Sequence, residues 1–135
     1  MRLEREAFAA WLDRYVAAWR SYDPTEIGDL FSEDATYSYR AGTLVVNGRA
    51  AIVASWLEDR DEPGSWDAHY DPLAIDDHVH VAVGWSHYIR PDRALREEYR
   101  NIFVCRFDAG GRCSEFTEWW MDTTAGRESE GEATG

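Results

Sequence analysis

The chain has 135 residues, enough for one domain with a single substantial core, and 44% of them are hydrophobic, which excludes an intrinsically disordered protein. The net charge of −12 disfavours binding to nucleic acids and to anionic membrane surfaces. No segment approaches the roughly 20 apolar residues of a membrane span, and the start lacks the apolar stretch of a signal peptide, so we expect a cytoplasmic protein.

Three helices are predicted in the first half of the chain. From Glu4 to about Ser21, apolar and aromatic side chains recur at three- and four-residue steps, the spacing of one helical face. The segment "DPTEIGDLF" opens with Asp23 as an N-cap and Pro24 at the first helical position. The segment "NGRAAIVASWLEDR" predicts a third helix that ends before "DEPG" and turns Trp56 inward.

Strands are predicted between and after these helices. Two short ones, "DATYSYR" and "TLVVNG", precede the third helix. Four longer segments with a period of two then follow, "SWDAHYDPLAI", "HVHVAVGWSHYI", "REEYRNIFVCRF" and "RCSEFTEWWMD", and they predict an antiparallel meander. Helices that cover one face of such a sheet make an α+β fold. We expect a single domain over residues 1–123, followed by a disordered acidic tail over residues 124–135.

The order of these elements, together with "LFSEDATY", "NGRAAI" and "RFDAGGRCSEFTEWW", resembles the SnoaL-like branch of the nuclear-transport-factor-like superfamily, which includes ketosteroid isomerase. The resemblance spans about Phe8 to Asp122. It implies a cone-shaped fold, in which a strongly bent, mixed or antiparallel sheet carries the three N-terminal helices on its concave face. It also implies a cavity between helices and sheet, and often a dimer. Function varies widely among such proteins, from isomerases and cyclases to binding proteins that catalyse nothing.

Ketosteroid isomerase gives a residue-by-residue comparison. Its oxyanion-hole tyrosine falls on Tyr15, and its tryptophan on the last strand falls on Trp120. Its general-base aspartate falls on Tyr39 and its protonated aspartate on Phe103, so the two groups that carry its proton chemistry are missing. Isomerisation by that mechanism is therefore disfavoured. The Asp-Arg-Asp arrangement of the related epoxide hydrolases is not found on one face either.

The predicted register of the last hairpin defines the concave wall. With Phe107 opposite Arg112, strand pairing places Phe103 opposite Phe116, Asn101 opposite Glu118 and Tyr99 opposite Trp120. Period two on the preceding strand adds Val83, Trp85 and His87 to the same face. The predicted ligand-binding residues are Trp19, Trp56, Trp66, Tyr70, Trp85, Tyr99, Asn101, Phe103, Phe116 and Trp120.

Glu118 is the leading candidate for chemistry. An aromatic cavity raises the pKa of a carboxyl group by desolvation, which suits a general acid or base near neutral pH. His87, Tyr15 and Tyr39 are predicted as its catalytic partners, acting to orient Glu118 or to hydrogen-bond a carbonyl or enolate oxygen. The alternative is structural: Glu118 is then a buried acid satisfied by Asn101, and His87, Tyr15 and Trp19 are ordinary core or rim residues.

Metal and thiol chemistry are disfavoured. His78 and His80 in "DDHVH" share a strand face near Asp76, yet they are predicted on the convex side, and no third ligand is implied. Cys105 and Cys113 are expected on opposite faces of neighbouring strands, which predicts two free thiols. We expect neither a metal nor a cofactor.

Two functions of different classes remain. The first is a cofactor-free isomerase, cyclase, dehydratase or hydrolase that acts through Glu118 on an apolar or aromatic, often polycyclic, carbonyl compound. The second is a ligand-binding or dimerisation module that catalyses nothing. The expected partners are a small apolar or aromatic ligand and a second copy of the chain, with no nucleic acid and no membrane.

Overall fold

The structure, a computed structural model, describes residues 1–39 and 44–123. The helices are α1 (Arg5–Ser21), α2 (Pro24–Asp29) and α3 (Arg49–Glu58). The strands are β1 (Phe31–Tyr39), β2 (Leu44–Asn47), β3 (Trp66–Asp76), β4 (Val79–Ile89), β5 (Leu95–Phe107) and β6 (Cys113–Asp122). Each element predicted from the sequence is present. The acidic tail, residues 124–135, lies outside the described residues.

The ends of α1 and α2 follow from local sequence. Helix α1 ends at Ser21, and Tyr22 is its C-cap: it adopts a left-handed conformation with φ of 50° while its N–H donates to the carbonyl of Ala18. Asp23 caps α2, because its carboxylate accepts hydrogen bonds from the N–H groups of Thr25 and Glu26. Pro24 needs no such partner at the first helical position. The predicted N-cap and helix start are therefore confirmed.

The six strands form one curled sheet that does not close on itself, in the order β2-β1-β6-β5-β4-β3. Strands β3 to β6 form the predicted antiparallel meander, and β1 joins it by pairing parallel with β6. The α+β prediction is confirmed, with a mixed sheet. We call the concave, helix-covered side of the sheet the inner face and the other side the outer face.

The core fills the space between α1 and the inner face. Trp11 meets Phe107 edge-on at 5.3 Å between ring centroids and donates from Nε1 to the carbonyl of Leu30. Tyr15, one turn along the helix, stacks on Phe116 at 5.5 Å. These contacts fix α1 across the sheet and point its C-terminal half at the region described below. No helix in the described ranges is long and apolar enough to cross a membrane.

The β5–β6 hairpin differs from the predicted register by two residues. The observed pairs are Phe103 with Glu118, Asn101 with Trp120, and Tyr99 with Asp122. Two features make the predicted pairing wrong. The Asp108 carboxylate accepts from the N–H groups of Gly110 and Arg112 and shapes a longer turn. A bulge also occurs at the step from Arg106 to Phe107. A shift of two preserves the face of each side chain, so Glu118 still lies on the inner face.

Strand β4 is turned over relative to the prediction. Val83, Trp85 and His87 lie on the outer face, where His87 is opposite Glu98. The prediction of an inner-face position for these three residues is wrong. Tyr88 is opposite Glu97 but Ile89 is opposite Leu95, so Arg96 is an extra, bulged residue of β5. A shift of one moves every side chain of a strand to the opposite face. Nε2 of His87 lies 3.1 Å from a carboxylate oxygen of Glu98, which is buried on that face.

The strand faces of His80 and of the two cysteines also differ from the prediction, because of the same bulges. His80 is fully buried on the inner face, opposite Cys105, rather than on the convex side. Its Nε2 accepts from the N–H of Leu3, and its Nδ1 lies 3.3 Å from the carbonyl oxygen of Cys105. Cys113 is opposite Phe107, so both cysteines are on the inner face, contrary to the prediction. Both are free thiols, as predicted.

Candidate active site

A cavity of about 580 Å³ opens to solvent between the helices and the inner face. Its lining comes from α1, α3, the segment after α3, and strands β1, β3, β4, β5 and β6. All seven tyrosines of the chain line it. The other lining residues are Trp19, Trp56, Trp120, Ser55, Ser86, Asn101, Asp59, Asp61, Arg96, Glu97 and Glu118.

Glu118 is held in the cavity by a short chain of hydrogen bonds. The amide of Asn101 donates from Nδ2 to Oε1 of Glu118 at 3.2 Å. The Asn101 oxygen in turn accepts from the hydroxyl of Ser86 at 3.1 Å, which directs the amide nitrogen toward the carboxylate. Among the described residues, Asn101 is the one hydrogen-bond donor to Glu118. The second carboxylate oxygen is therefore available to a ligand.

Burial raises the pKa of Glu118 from its ordinary value of 4.5 to about 7, and the hydrogen bond from Asn101 offsets part of that rise. The cause is desolvation, since surrounding rings replace the water that would stabilise the charged form. Near neutral pH the carboxyl group is thus present in both protonation states. Such a group gives or takes a proton with little cost, which is the property a general acid or base needs.

Tyr15 and Tyr37 form a hydroxyl pair in the buried part of the cavity, with their oxygens 2.7 Å apart. Burial raises the pKa of both phenols well above 10.0, and the nearby charge of Glu118 raises both further. Both hydroxyls therefore stay protonated. One O–H is used within the pair, and the other finds no further acceptor in the parts of the chain that the structure describes. That hydrogen can be donated to a ligand oxygen.

The two neighbouring tyrosines complete the buried wall. Tyr39 lines the cavity with Ser55 of α3, and Tyr70 lines it with Ser86 of β4. Burial raises the pKa of each, and Glu118 contributes to both rises, so all these phenols surround one carboxyl group. The inner end of the cavity thus combines hydroxyl donors with a single acid. This arrangement can bind a carbonyl oxygen and move a proton beside it.

The mouth of the cavity carries a second group of acids. Asp61 accepts from Nε1 of Trp19 at 3.0 Å and from the hydroxyl of Tyr22 at 3.5 Å. The carboxylate of Glu97 accepts from the hydroxyl of Tyr99. Asp59, at the C-terminal end of α3, also lines this region. The mouth is therefore both aromatic and acidic.

The predicted site residues fall into three groups in the structure. The cavity brings together Glu118, Tyr15, Tyr39, Trp19, Trp56, Tyr70, Tyr99, Asn101 and Trp120. Trp66, Phe103 and Phe116 lie buried behind the wall; Trp66 stacks on Trp19 with ring centroids 3.6 Å apart. Trp85 and His87 lie on the outer face and do not line the cavity, so their predicted site roles are withdrawn.

Several lining residues are missed by the sequence reasoning. Tyr37 carries a usable signal, because it stands two residues before Tyr39 on one strand and must share its face. Tyr88 becomes visible only when β4 is assigned to the correct face. Asp59 and Asp61 belong to "EDRDEP", which reads from sequence as a solvated helix end. Nothing in that composition distinguishes a cavity mouth from open surface.

The described residues do not form a metal site. Within residues 1–39 and 44–123, no group of three or more His, Cys, Asp or Glu side chains is arranged to hold a metal ion. His80 uses both ring nitrogens in contacts with Leu3 and Cys105, which leaves none for a metal.

The sequence profile of the SnoaL-like domain matches residues 12–116. The chain belongs to the SnoaL-like family. No curated protein sequence matches it at a significant level. This membership confirms the resemblance to the nuclear-transport-factor-like superfamily, whose members in known structures share the curled sheet and its helices.

Three solved structures illustrate the likeness of this SnoaL-like protein. An NTF-2 like protein of unknown function from Burkholderia xenovorans LB400 superposes with a TM-score of 0.65 at 14% identity, over 87% of this chain and 84% of that one. A protein proposed to be a ketosteroid isomerase, from Kribbella flavida DSM 17836, gives 0.62 at 20%, over 87% and 79%. SalBIII, an epoxide hydrolase/cyclase-like enzyme in pyran ring formation in the polyether salinomycin, gives 0.68 at 18%, over 90% and 95%. At such identities the likeness establishes the fold alone.

Proposed function

We propose that the protein is a cofactor-free enzyme that moves a proton on an apolar or aromatic carbonyl compound, with Glu118 as the general acid or base. The observation that carries this proposal is the Glu118 carboxyl group, whose pKa of about 7 arises in an open cavity where Asn101 is its one hydrogen-bond donor among the described residues. A merely structural acid gains nothing from facing a cavity. An acid that must exchange protons with a ligand needs that position.

The hydroxyl pair supplies the second half of the chemistry. When Glu118 removes a proton from the carbon beside a carbonyl, negative charge develops on the carbonyl oxygen. The free O–H of the Tyr15–Tyr37 pair can donate to that oxygen, and the pair distributes the charge over two phenols. Tyr39 stands beside them in the same wall. The proton returns from Glu118 to another atom of the substrate, which completes an isomerisation or begins a cyclisation or dehydration.

The proposal is tested by hydrogen exchange, which needs no knowledge of the final product. Polycyclic and aromatic ketones are incubated with the protein in D₂O, and loss of the hydrogens beside the carbonyl is followed by NMR. We expect exchange that rises with pH and levels off above about pH 7, since the ionised carboxylate is the base. Glu118→Gln should slow it by a factor of roughly 10² to 10⁴. Glu115→Gln, on the exposed side of the same strand, is the matched control and should match wild type.

The hydroxyl pair is tested in the same assay. Removing one hydroxyl, in Tyr15→Phe or Tyr37→Phe, should lower the exchange rate while leaving ligand affinity within a few-fold of wild type, because the donor acts mainly on the developing charge. Equal loss in affinity and rate would indicate that the pair only binds the ligand.

The second candidate is a binding module that catalyses nothing. It is favoured by Tyr39 and Phe103, on which the two catalytic aspartates of ketosteroid isomerase fall in the comparison that the sequence resemblance suggests. In that case ligands quench the cavity tryptophans, no ketone exchanges hydrogens, and Glu118→Gln retains binding. That combination of results would reject the enzyme proposal and leave the binding module.

Dimerisation through the outer face is part of either proposal. Ile102, Trp119 and Met121 are exposed there, and Ile102 is opposite Trp119 in the β5–β6 pair. Exposed apolar side chains of this size on one sheet face are typical of an interface between copies of a chain. Sedimentation at micromolar concentration should give a dimer, and Trp119→Glu should give a folded monomer. A monomeric wild type would remove this part and leave the cavity chemistry intact.

A further inference from the structure

The mouth of the cavity has a composition that an apolar carbonyl compound alone does not require. Among the described residues, four carboxylates line the cavity, those of Asp59, Asp61, Glu97 and Glu118, against one guanidinium, that of Arg96. The chain as a whole carries a net charge of −12. An anionic substrate would be repelled both on approach and on entry.

The rings at the mouth are placed to attract a positive charge. The face of an aromatic ring carries partial negative charge, and cations bind over it within about 6 Å of the centroid. Two guanidinium groups already do so here: that of Arg96 lies 5.6 Å from the centroid of Tyr88, and that of Arg60 lies 5.6 Å from the centroid of Tyr22. Both ring faces are thus occupied by guanidinium groups of the chain itself, and Nε of Arg96 also lies 3.6 Å from Oε1 of Glu97, so a ligand cation must share these faces or displace these groups.

The carboxylates and the rings are coupled to each other. Trp19 donates its indole N–H to Asp61, and Tyr99 donates its hydroxyl to Glu97. A hydrogen bond to an anion draws negative charge onto the donating ring and makes its face more attractive to a cation. The pKa of Tyr99 is raised to about 12, with the hydrogen bond to Glu97 as the largest cause. Each of these rings and the carboxylate that it donates to therefore attract a cation to the same part of the cavity mouth.

The mouth and the buried end of the cavity are distinct but adjacent. Tyr88 lines the same cavity, and its pKa is raised by burial and, to a smaller extent, by the charges of Asp61 and Glu118. Tyr15, Tyr37 and Tyr70 at the buried end are at most 5% exposed, whereas Asp59 and Arg96 are in open contact with solvent. A ligand that spans both parts would place one end at Glu118 and the other among the mouth acids.

We infer that the substrate of this cavity carries a positively charged nitrogen, a protonated or quaternary amine, which is held among the mouth tyrosines and the carboxylates of Asp59, Asp61 and Glu97 while the carbonyl end reaches Glu118. The inference rests on the proposed function for its second half, the carbonyl end. Its first half concerns binding alone and is tested separately. Rings with adjacent carboxylates are the arrangement by which proteins recognise ammonium groups.

Benzyltrimethylammonium and its neutral carbon isostere, neopentylbenzene, have the same shape and differ in charge. Affinities of both are measured at neutral pH and low salt by quenching of the cavity tryptophans. We expect the cation to bind at least about tenfold tighter, with a gap that narrows at high salt. Phenylacetate, an anion of similar size, should bind more weakly than either.

The mouth variant Asp59→Asn/Asp61→Asn/Glu97→Gln should lose at least about tenfold in affinity for the cation and less than about twofold for the neutral isostere. Asp13→Asn/Glu33→Gln/Asp76→Asn removes the same charge from exposed positions outside the cavity and is the matched control. This control should bind both ligands as wild type does. Thermal unfolding of each variant verifies that it is folded.

Three results would overturn the inference: equal or tighter binding of neopentylbenzene, undiminished cation binding by the mouth variant, or no binding of the cation at millimolar concentration. None of them bears on hydrogen exchange by Glu118. Conversely, a cation preference with no exchange on any ketone would reject the proposed enzyme and leave the amine specificity in place.

Discussion

Glu118→Gln removes a charge that the fold opposes, so the variant should be more stable than wild type at high pH. The cavity raises the pKa of this carboxyl group from 4.5 to about 7. Each unit of that difference is worth about 1.4 kcal/mol. Ionising Glu118 in the folded protein therefore costs up to about 3 kcal/mol of unfolding free energy, which glutamine does not lose.

The sign of the pH dependence follows from the raised pKa. The folded state binds the proton more tightly than the unfolded chain, so the contribution of Glu118 to stability is fully present below about pH 4.5 and is lost as the pH rises through about 7. Glu118→Gln cannot ionise at this position and therefore does not lose this stability as the pH rises. The difference between variant and wild type should grow from near zero to about 3 kcal/mol over that range, or roughly 10 °C in Tm for a domain of this size.

Thermal unfolding followed by tryptophan fluorescence between about pH 4 and pH 9 measures the effect at constant ionic strength. Glu115→Gln is the control: Glu115 is exposed on the same strand, with Oε2 3.2 Å from Nε of Arg106. A surface ion pair of this kind contributes at most about 1 kcal/mol, so the control should show no comparable pH-dependent gain. A Glu118→Gln difference that does not change with pH, or a wild type that is the more stable at high pH, would refute the pKa argument.

His80 should produce the opposite trend in acid, because burial lowers its pKa and Nε2 must stay unprotonated to accept from Leu3. Its contribution to stability is present above about pH 6.5 and is lost as the pH falls below it. His80→Gln should therefore flatten the wild-type decline below about pH 6.5 in thermal unfolding, and an unchanged decline would contradict this. Gly84→Ala should cost roughly 1–3 kcal/mol, since an added Cβ would lie 2.1 Å from the carbonyl oxygen of His69 and 2.4 Å from the ring of Tyr70. Gly28→Ala, with contacts no closer than 3.6 Å, should change the free energy of unfolding little in denaturant titrations, and equal effects of the two changes would contradict the steric argument.

Most of the fold can be predicted from the sequence because its signals are local. The aromatic stripe of α1 repeats for four turns, and Asp23 with Pro24 defines the start of α2 through backbone hydrogen bonds of neighbouring residues. The four long strands alternate in burial and are separated by short turns. Each of these signals depends on residues a few positions apart, which a sequence displays directly.

The faces of the strands are harder to predict, because they depend on bulges. One extra residue of β5, Arg96, exchanges the inner and outer faces of β4, and this single bulge explains why Trp85 and His87 are misplaced. Near the last turn, the same effect moves Cys113 to the inner face. Glu118 keeps its predicted face because the register of that hairpin is displaced by one residue at the turn and by one more at the bulge, and a total shift of two preserves the face of each side chain. Bulges carry no strong sequence signature, so a site built across several strands is predicted only in part.

Phenylalanines and tyrosines occupy different places in this fold, and the physical reason for that difference indicates the cavity. All five phenylalanines are buried at 3% exposure or less, whereas all seven tyrosines line the cavity, from α1 and its C-cap to β1, β3, β4 and β5. A phenol hydroxyl costs free energy in a dry core, and phenylalanine fills the same volume without that cost. Tyrosines from five distant parts of the chain converge on one place only if their hydroxyls meet water, each other or a ligand there. In this fold they surround Glu118, so the same composition that forms the wall also supplies the hydrogen-bond donors beside the acid.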